Sequence, residues 1–325
     1  MKRYRCLTIV ALCAVSFAAP LFAQDAASEK PIRKITPGKV IIPFERMRRI
    51  WGELISMDLE TRTGTFRAEG DDKVMHFTVM PYAELLHHAT YGDLQDFRIG
   101  ERAIFRMHEN EDGEWVWLTY IQDEMNMLNG HREYYFVDAI DTDTGNITFT
   151  QAKFDKSFIR EKGLTLGTDE DTKFWKQGKP AQLSDIKIGD AIRAKTRGLG
   201  KGRSRVAWHV FLDDESLQKF QTEQMQVHAG RLKQEGLPGY VDQADGNQLH
   251  LTLFQEGQTL AKTLKEKAKV RVASAGVDRK PNAEPVTATV ISVTTKGKVT
   301  LVQLATEEDL ASFHEAGLAR LWIEP

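Results

Sequence analysis

One stretch of the chain occurs twice. Leu94 to Arg106 reads L-Q-D-F-R-I-G-E-R-A-I-F-R, and Leu183 to Lys195 reads L-S-D-I-K-I-G-D-A-I-R-A-K. A leucine, an aspartate, an apolar residue, a base, an isoleucine, a glycine and an acid keep their order in both copies (Leu94/Leu183, Asp96/Asp185, Phe97/Ile186, Arg98/Lys187, Ile99/Ile188, Gly100/Gly189, Glu101/Asp190). A tandem repeat constrains the fold strongly, because each copy is one structural unit built on a common plan. Here each copy reads as a turn feeding a strand.

The residues before and after the first copy supply the rest of that plan. Trp51 to Met57 is a β-rich run, Glu60 to Gly64 a turn, Thr65 to Ala68 its answer, and Val74 to Met80 alternates as a third strand. Pro81 suits the first turn of a short helix over Tyr82 to His88. Strands Ala103 to His108 and Trp115 to Ile121 then flank a turn at Asn110 to Gly113. The order β-β-β-α-β-β is that of an oligonucleotide/oligosaccharide-binding (OB) barrel, a five-stranded Greek-key barrel with a ligand-binding face. Residues 131–212 restate it, with Tyr134 to Ile140, Ile147 to Thr150, Phe158 to Leu166, Ala191 to Thr196 and Val206 to Leu212 as strands and a looser middle over Thr172 to Gln182.

These signals predict a mainly β chain: tandem OB-like five-stranded barrels with short helices, plus a divergent C-terminal β-domain. The expected boundaries are a signal peptide at 1–23, a basic linker at 24–49, OB-like repeats at 50–130 and 131–212, a connecting helix at 213–236 and a divergent β-domain at 237–325. The helix has acids in its first turn, Leu217, Phe220, Gln224 and Val227 on one side, and Gly236 before Pro238 as its stop. In the last domain Thr306 and Asp309 predict a capped helix that buries Leu310 and Phe313, with Gly317 as its stop.

Residues 1–23 differ in kind. Lys2, Arg3 and Arg5 precede an apolar run from Leu7 to Ala19 and a small-residue end at Ala23, the three parts of a secretory signal. The run is shorter than the roughly 20 residues of a spanning helix, and no later segment is apolar enough to cross a membrane. The expected location is therefore exported, either periplasmic or extracellular. Both cysteines, Cys6 and Cys13, lie inside the signal, so the mature chain has no disulfide, thiolate metal site or thiol nucleophile. Loss of three bases and no acid moves the formal net charge from −2 to −5. Nucleic acid is not the expected partner of such a chain.

The T-K-F-W run at Thr172 to Trp175, followed by Gln182 to Thr196 with its Ile-Lys-Ile-Gly-Asp core, resembles a small β-barrel domain of unknown function found in exported bacterial proteins. The resemblance is clearest over Leu164 to Leu212. It implies a fold and no catalytic residue.

No catalytic constellation appears. Gly-x-Ser-x-Gly and His-Glu-x-x-His are absent from the mature chain. The glycine-rich stretch Arg197 to Arg205 is not a Walker loop, because Lys201 is followed by Gly202 and the segment joins two strands. Asp141-x-Asp143-x-Gly145 is a hairpin turn rather than a calcium loop, since its glycine comes one residue early. His87-His88, Met75-His76 and Met107-His108 offer imidazole and thioether ligands, so weak soft-metal binding is a minor alternative to core methionines and surface histidines.

The expected function is a non-catalytic exported binding or structural module that contacts an envelope or extracellular polymer or protein. It needs no cofactor. The expected contact residues are Lys195, Arg197, Lys201, Arg203 and Arg205, a basic hairpin suited to an acidic polysaccharide, a lipid headgroup or an acidic protein face. The alternative is a hydrolase of envelope glycans built from acids that converge only in space.

Overall fold

The structure, a computed structural model, describes residues 47–110, 112–198 and 205–324. The expected signal at 1–23 and nearly all of the 24–49 linker lie outside the described residues.

The first unit comprises β1 (Arg48–Asp58), β2 (Thr63–Ala68), β3 (Val74–His87), β4 (Thr90–Tyr91), β5 (Arg102–Glu109) and β6 (Trp115–Asp123). Pairing runs β1–β2–β3–β6–β5 and back to β1, a closed circuit with β4 appended to β3. Only β3 and β6 run parallel; the other pairs are antiparallel. This is the strand order of an OB barrel. Alternating side chains point inward, and Phe66, Phe77 and Phe105 fill the centre, with the rings of Phe66 and Phe105 stacked at 4.0 Å.

Helix α1 (Glu124–His131) leads into the second unit: β7 (Glu133–Asp141), β8 (Asn146–Lys153), β9 (Ile159–Gly167), β10 (Lys173–Lys176), β11 (Lys179–Ala181), β12 (Ala191–Arg197) and β13 (Arg205–Phe211). The circuit is the same, β7–β8–β9–β13–β12, with β9 and β13 parallel. Helix α2 (Asp214–Glu235) follows, capped by the Asp213 carboxylate, which accepts from the Ser216 amide at 2.8 Å, and ended at Gly236 with φ 84°. The third unit is a closed six-stranded antiparallel barrel of β14 (Leu237–Asp245), β15 (Gln248–Leu253), β16 (Lys269–Ala275), β17 (Val286–Lys296), β18 (Val299–Ala305) and β19 (Leu318–Ile323), with the short α3 (Gln258–Ala261) between β15 and β16. The fold is mainly β, as the repeat pattern predicts.

Two predicted helices are absent. Tyr82 to His87 continues β3 and His88 begins the turn after it; from Ala83 the burial alternates with period two, Leu85 and His87 facing inward while Glu84 and Leu86 are half-buried. Pro81 starts no helix, because β3 breaks register with β6 between Val79 and Glu84 and its missing N–H costs no ladder bond there. Thr306 likewise caps a turn, accepting from the Glu308 amide at 3.1 Å. Leu310 and Phe313 are buried as expected, from irregular backbone. On α2, Leu217 and Gln224 are buried, but Val227 is 54% exposed and His228 takes the inward position.

The repeated stretch folds the same way twice. Each copy makes one 3-10 turn, Leu94–Asp96 and Leu183–Asp185. Its aspartate accepts from the residue before the turn (Asp96 from Asp93 N at 2.7 Å, Asp185 from Gln182 N at 2.8 Å). The apolar residue, Phe97 or Ile186, is buried. Glycine follows at φ 86° and 92°, in the left-handed region that only glycine adopts without strain. The acid then closes the turn: Glu101 accepts from Arg98 N at 3.0 Å and Asp190 from Lys187 N at 2.8 Å.

Candidate functional site

The first motif copy lies against the second barrel. Glu101 bridges to Arg197 across an antiparallel pairing, and the Gly198 amide donates to the Gly100 carbonyl at 3.2 Å. At this seam the pairing of β12 with β13 shifts register between Lys195 and Thr196, with Trp208 of β13 as the extra residue. On one side of it stands the Lys195 ammonium, in a nest of acceptors from the first barrel. Its Nζ lies 2.8 Å from Glu101 Oε1, 2.6 Å from His87 Nε2, 3.3 Å from His88 Nε2 and 3.5 Å from Asp123 Oδ2. Lys195 is 2% exposed, Glu101 and Asp123 not at all.

Each acceptor is held from behind. Gln224 on α2 donates its amide to Asp96 Oδ2 at 3.0 Å, so its carbonyl oxygen accepts from His87 Nδ1–H at 3.0 Å. That fixes the tautomer and turns the His87 Nε2 lone pair toward the ammonium. His88 sits at φ 49° in the β3–β4 turn, and its backbone amide donates to Asp123 Oδ2 at 2.9 Å. Asp123 also accepts from Asn126 N at 2.8 Å, as the N-cap of α1. The two imidazoles lie 3.9 Å apart. Burial, and then the Lys195 charge, hold both rings neutral, well below the usual histidine range. Burial pushes the Glu101 carboxyl up to about 7 against the pull of Lys195.

Ligand atoms of His87, His88 and Asp123 fall within 4.8 Å of one another, a spacing that suits a metal ion. Lys195 Nζ touches all three, so the cation of this cluster is an ammonium carried by the chain itself. The methionines of the soft-metal reading lie elsewhere: Met107 is in the core of the first barrel with Met75 packed against it, and His76 is exposed.

A second charged line runs beside the first. The Thr196 amide donates to Glu124 Oε2 at 2.6 Å, Glu124 Oε1 accepts from Arg102 at 2.7 Å, and Arg102 reaches Glu69 at 2.7 Å. The Arg102 guanidinium lies 3.8 Å from the centre of the Trp51 ring. Of these residues Trp51, Glu69 and Arg102 line an open groove of about 680 Å³ between the two barrels. Arg49 and Trp51 line it from β1, Arg160 and Glu161 from β9, and Arg205 from β13.

The basic hairpin expected from the sequence is therefore divided. Lys195 is corrected: it is no surface contact, because it alternates with the core residues Ile192 and Ala194, and the outer face of β12 on which it stands is covered by Glu101, Asp123 and His87 of the first barrel. Arg197 pairs with Asp169 and, at 3.6 Å, with Asp171. Arg205 faces the groove, 3.8 Å from Glu69. Lys201 and Arg203 lie outside the described residues. The Asp141 turn is a hairpin, with its carboxylate accepting from Asp143 N at 3.0 Å and Gly145 at φ 71°. Sequence reasoning did not find the seam. Its one signal was the acid at the end of the repeated motif, Glu in the first copy and Asp in the second.

No known family profile matches the chain, and no curated protein matches it. Among solved structures, it is similar to a copper(II) complex of a CusF variant from Escherichia coli. The two share 16% identity over 25% of this chain and 95% of that one, with a TM-score of 0.19.

Proposed function

We propose that the protein is a non-catalytic binding module whose contact surface is the groove between the first two barrels, with an acidic polymer as its ligand. The groove itself carries this reading: it places the side of an indole, Trp51, among Arg49, Arg160 and Arg205. Arg102 and Arg160 are neutralised from below by Glu124 and Glu133. Arg49 has no ion-pair partner among the described residues, and Arg205 has only a 3.8 Å approach to Glu69. Their charge remains for a ligand. A flat apolar ring between fixed cations suits a chain of sugars bearing carboxylates or sulfates. Export of the protein, expected from residues 1–23, would place it among such polymers.

Two carboxylates, Glu69 and Glu161, line the same groove, which is what a glycan hydrolase would use. Both Glu69 oxygens already face arginines, Oε2 accepting from Arg102 at 2.7 Å and Oε1 lying 3.8 Å from Arg205, so the carboxylate is engaged within the protein. The binding reading is therefore preferred.

Retention on a heparin-like matrix tests it. The double change Arg49→Ser and Arg205→Ser is expected to weaken retention on the order of tenfold and to flatten its salt dependence. A second pair, Lys201→Ser and Arg203→Ser, tests the hairpin separately. Unchanged retention in the groove pair, or turnover of an acidic glycan by the parent, defeats the proposal.

A further inference from the structure

The β8–β9 hairpin stands out from the second barrel. Every residue from 153 to 163 is exposed, although both strands are paired up to the tip. The tip is ordered by its own bonds. Lys153 N donates to the Phe158 carbonyl at 3.0 Å, Ser157 N donates to Asp155 Oδ1 at 3.0 Å, and Lys156 turns the chain at φ 56°. On this tip three large apolar side chains face water: Phe154 is 67% exposed, Phe158 46% and Ile159 42%. Nothing in the turn requires them, since a polar residue would form it as well.

Bases surround the apolar tip. Lys153, Lys156 and Lys162 stand against Asp155 and Glu161, an excess of one positive charge, and Arg160 beside them is paired with Glu133 at 2.7 Å. Their stems lie over rings. Lys156 Nζ is 4.6 Å from the centre of Phe136 and the Arg160 guanidinium is 5.4 Å from that of Phe158. Tyr134 on β7 extends the patch, 5.3 Å from Phe154. Exposed aromatic and aliphatic side chains at a hairpin tip, flanked by exposed lysines, match the layering of a bilayer surface. The rings enter the acyl boundary and the bases meet phosphate.

We infer that the β8–β9 hairpin is a membrane-surface anchor that inserts Phe154, Phe158 and Ile159 into a bilayer containing anionic lipid. No helix among the described residues is long and apolar enough to cross a membrane, so this contact is peripheral. It holds the second barrel at the surface. Arg160 belongs to both the hairpin and the neighbouring groove. The anchor is independent of the groove's ligand.

Co-sedimentation of the full chain with vesicles tests the anchor, with parent and variants compared side by side so that the apolar 7–19 segment contributes equally to all. The parent is expected to bind vesicles of phosphatidylcholine with 30% phosphatidylglycerol more strongly than phosphatidylcholine alone. The triple change Phe154→Ser, Phe158→Ser and Ile159→Ser is expected to lower binding on the order of tenfold. Phe154→Ser alone is expected to lower it severalfold and guards against loss of fold in the triple. Circular dichroism and melting temperature should stay at parent values. Arg49→Ser with Arg205→Ser should leave vesicle binding unchanged, which separates this proposal from that of the groove. Parent-like binding by the folded triple variant overturns the inference. So does equal binding of the parent to neutral and anionic vesicles.

Discussion

The two copies of the repeated motif have the same backbone and opposite surroundings. In the second barrel the turn faces water: Ile188 is 71% exposed, and a methyl group placed on Gly189 would meet nothing within 4 Å. In the first barrel Ile99 is still 50% exposed, but the acid that closes the turn lies in a seam, with Glu101 wholly buried against Lys195 of its neighbour. The acid performs the local task in both, closing the turn onto a backbone amide. Only glutamate, one methylene longer, is placed so that its second oxygen meets the next barrel as well. A motif that marks a fold in one place thus becomes part of a joint in another, through one residue change and a change of neighbours.

Breaking the joint should cost far more than breaking its exposed counterpart. Lys195→Met leaves Glu101 and Asp123 buried with one positive charge removed, and the expected loss is about 3–5 kcal/mol. Lys187→Met, at an exposed position of the second motif, should change stability by less than about 0.5 kcal/mol. Urea unfolding monitored by circular dichroism compares the two. Equal effects would mean that the seam is not a cooperative part of the fold.

Acid sharpens the same contrast, since the seam holds the buried titratable groups. His87 and His88 are held neutral when folded, whereas the unfolded chain protonates them below about 6.5. The unfolded state then binds more protons, so their contribution is present above about 6.5 and is lost as pH falls. Glu101 works the other way. Its folded value is raised from 4.5 to about 7, so its contribution is full below 4.5 and is lost as pH rises toward 7. Two histidines against one carboxyl leave a net loss on acidification of roughly 1 kcal/mol per pH unit per excess proton. His209, lowered to about 4, adds to it. Melting temperature measured from pH 7 to pH 5 should fall, and Glu101→Gln, which removes the opposing group, should steepen the fall. A flat profile in the parent would contradict this account of the seam.

The smallest effect concerns what the copies share. Gly100→Ala and Gly189→Ala each place a side chain at positive φ, and each is expected to cost about 1 kcal/mol. Similar losses at the two sites would confirm that the glycine serves the turn and not the seam. A loss confined to Gly100 would assign it to the joint.

The architecture was largely legible in the residues. Period-two burial, turn residues at regular intervals and the duplicated motif led to two five-stranded barrels and a divergent third domain. The misread elements were those in which a local signal favoured helix and the sheet prevailed. Tyr82 to His88 follows a proline, yet the closing strand of a barrel needs that length, and β3 pairs with β6 on both sides of its irregularity. Thr306 to Phe313 carries cap-like residues, but irregular backbone suffices to seat Leu310 and Phe313 in the core of the third barrel.

The candidate site divides in the same way. Composition and spacing alone determined that the chain repeats, that its two cysteines, Cys6 and Cys13, lie within residues 1–23, and that its bases cluster near Lys195 to Arg205. Those properties follow from residue identity and from contacts a few positions apart. Only the tertiary structure decided that Lys195 is buried while Arg205 faces a groove, that Glu101 and Asp190 differ in role, and that Phe154 and Phe158 point to solvent. Each of these depends on which residue of one barrel faces which residue of another. His87 and Lys195 are 108 positions apart in sequence and 2.6 Å apart in space. No periodicity along the chain encodes that distance, because it is set by the docking of two separately closed barrels.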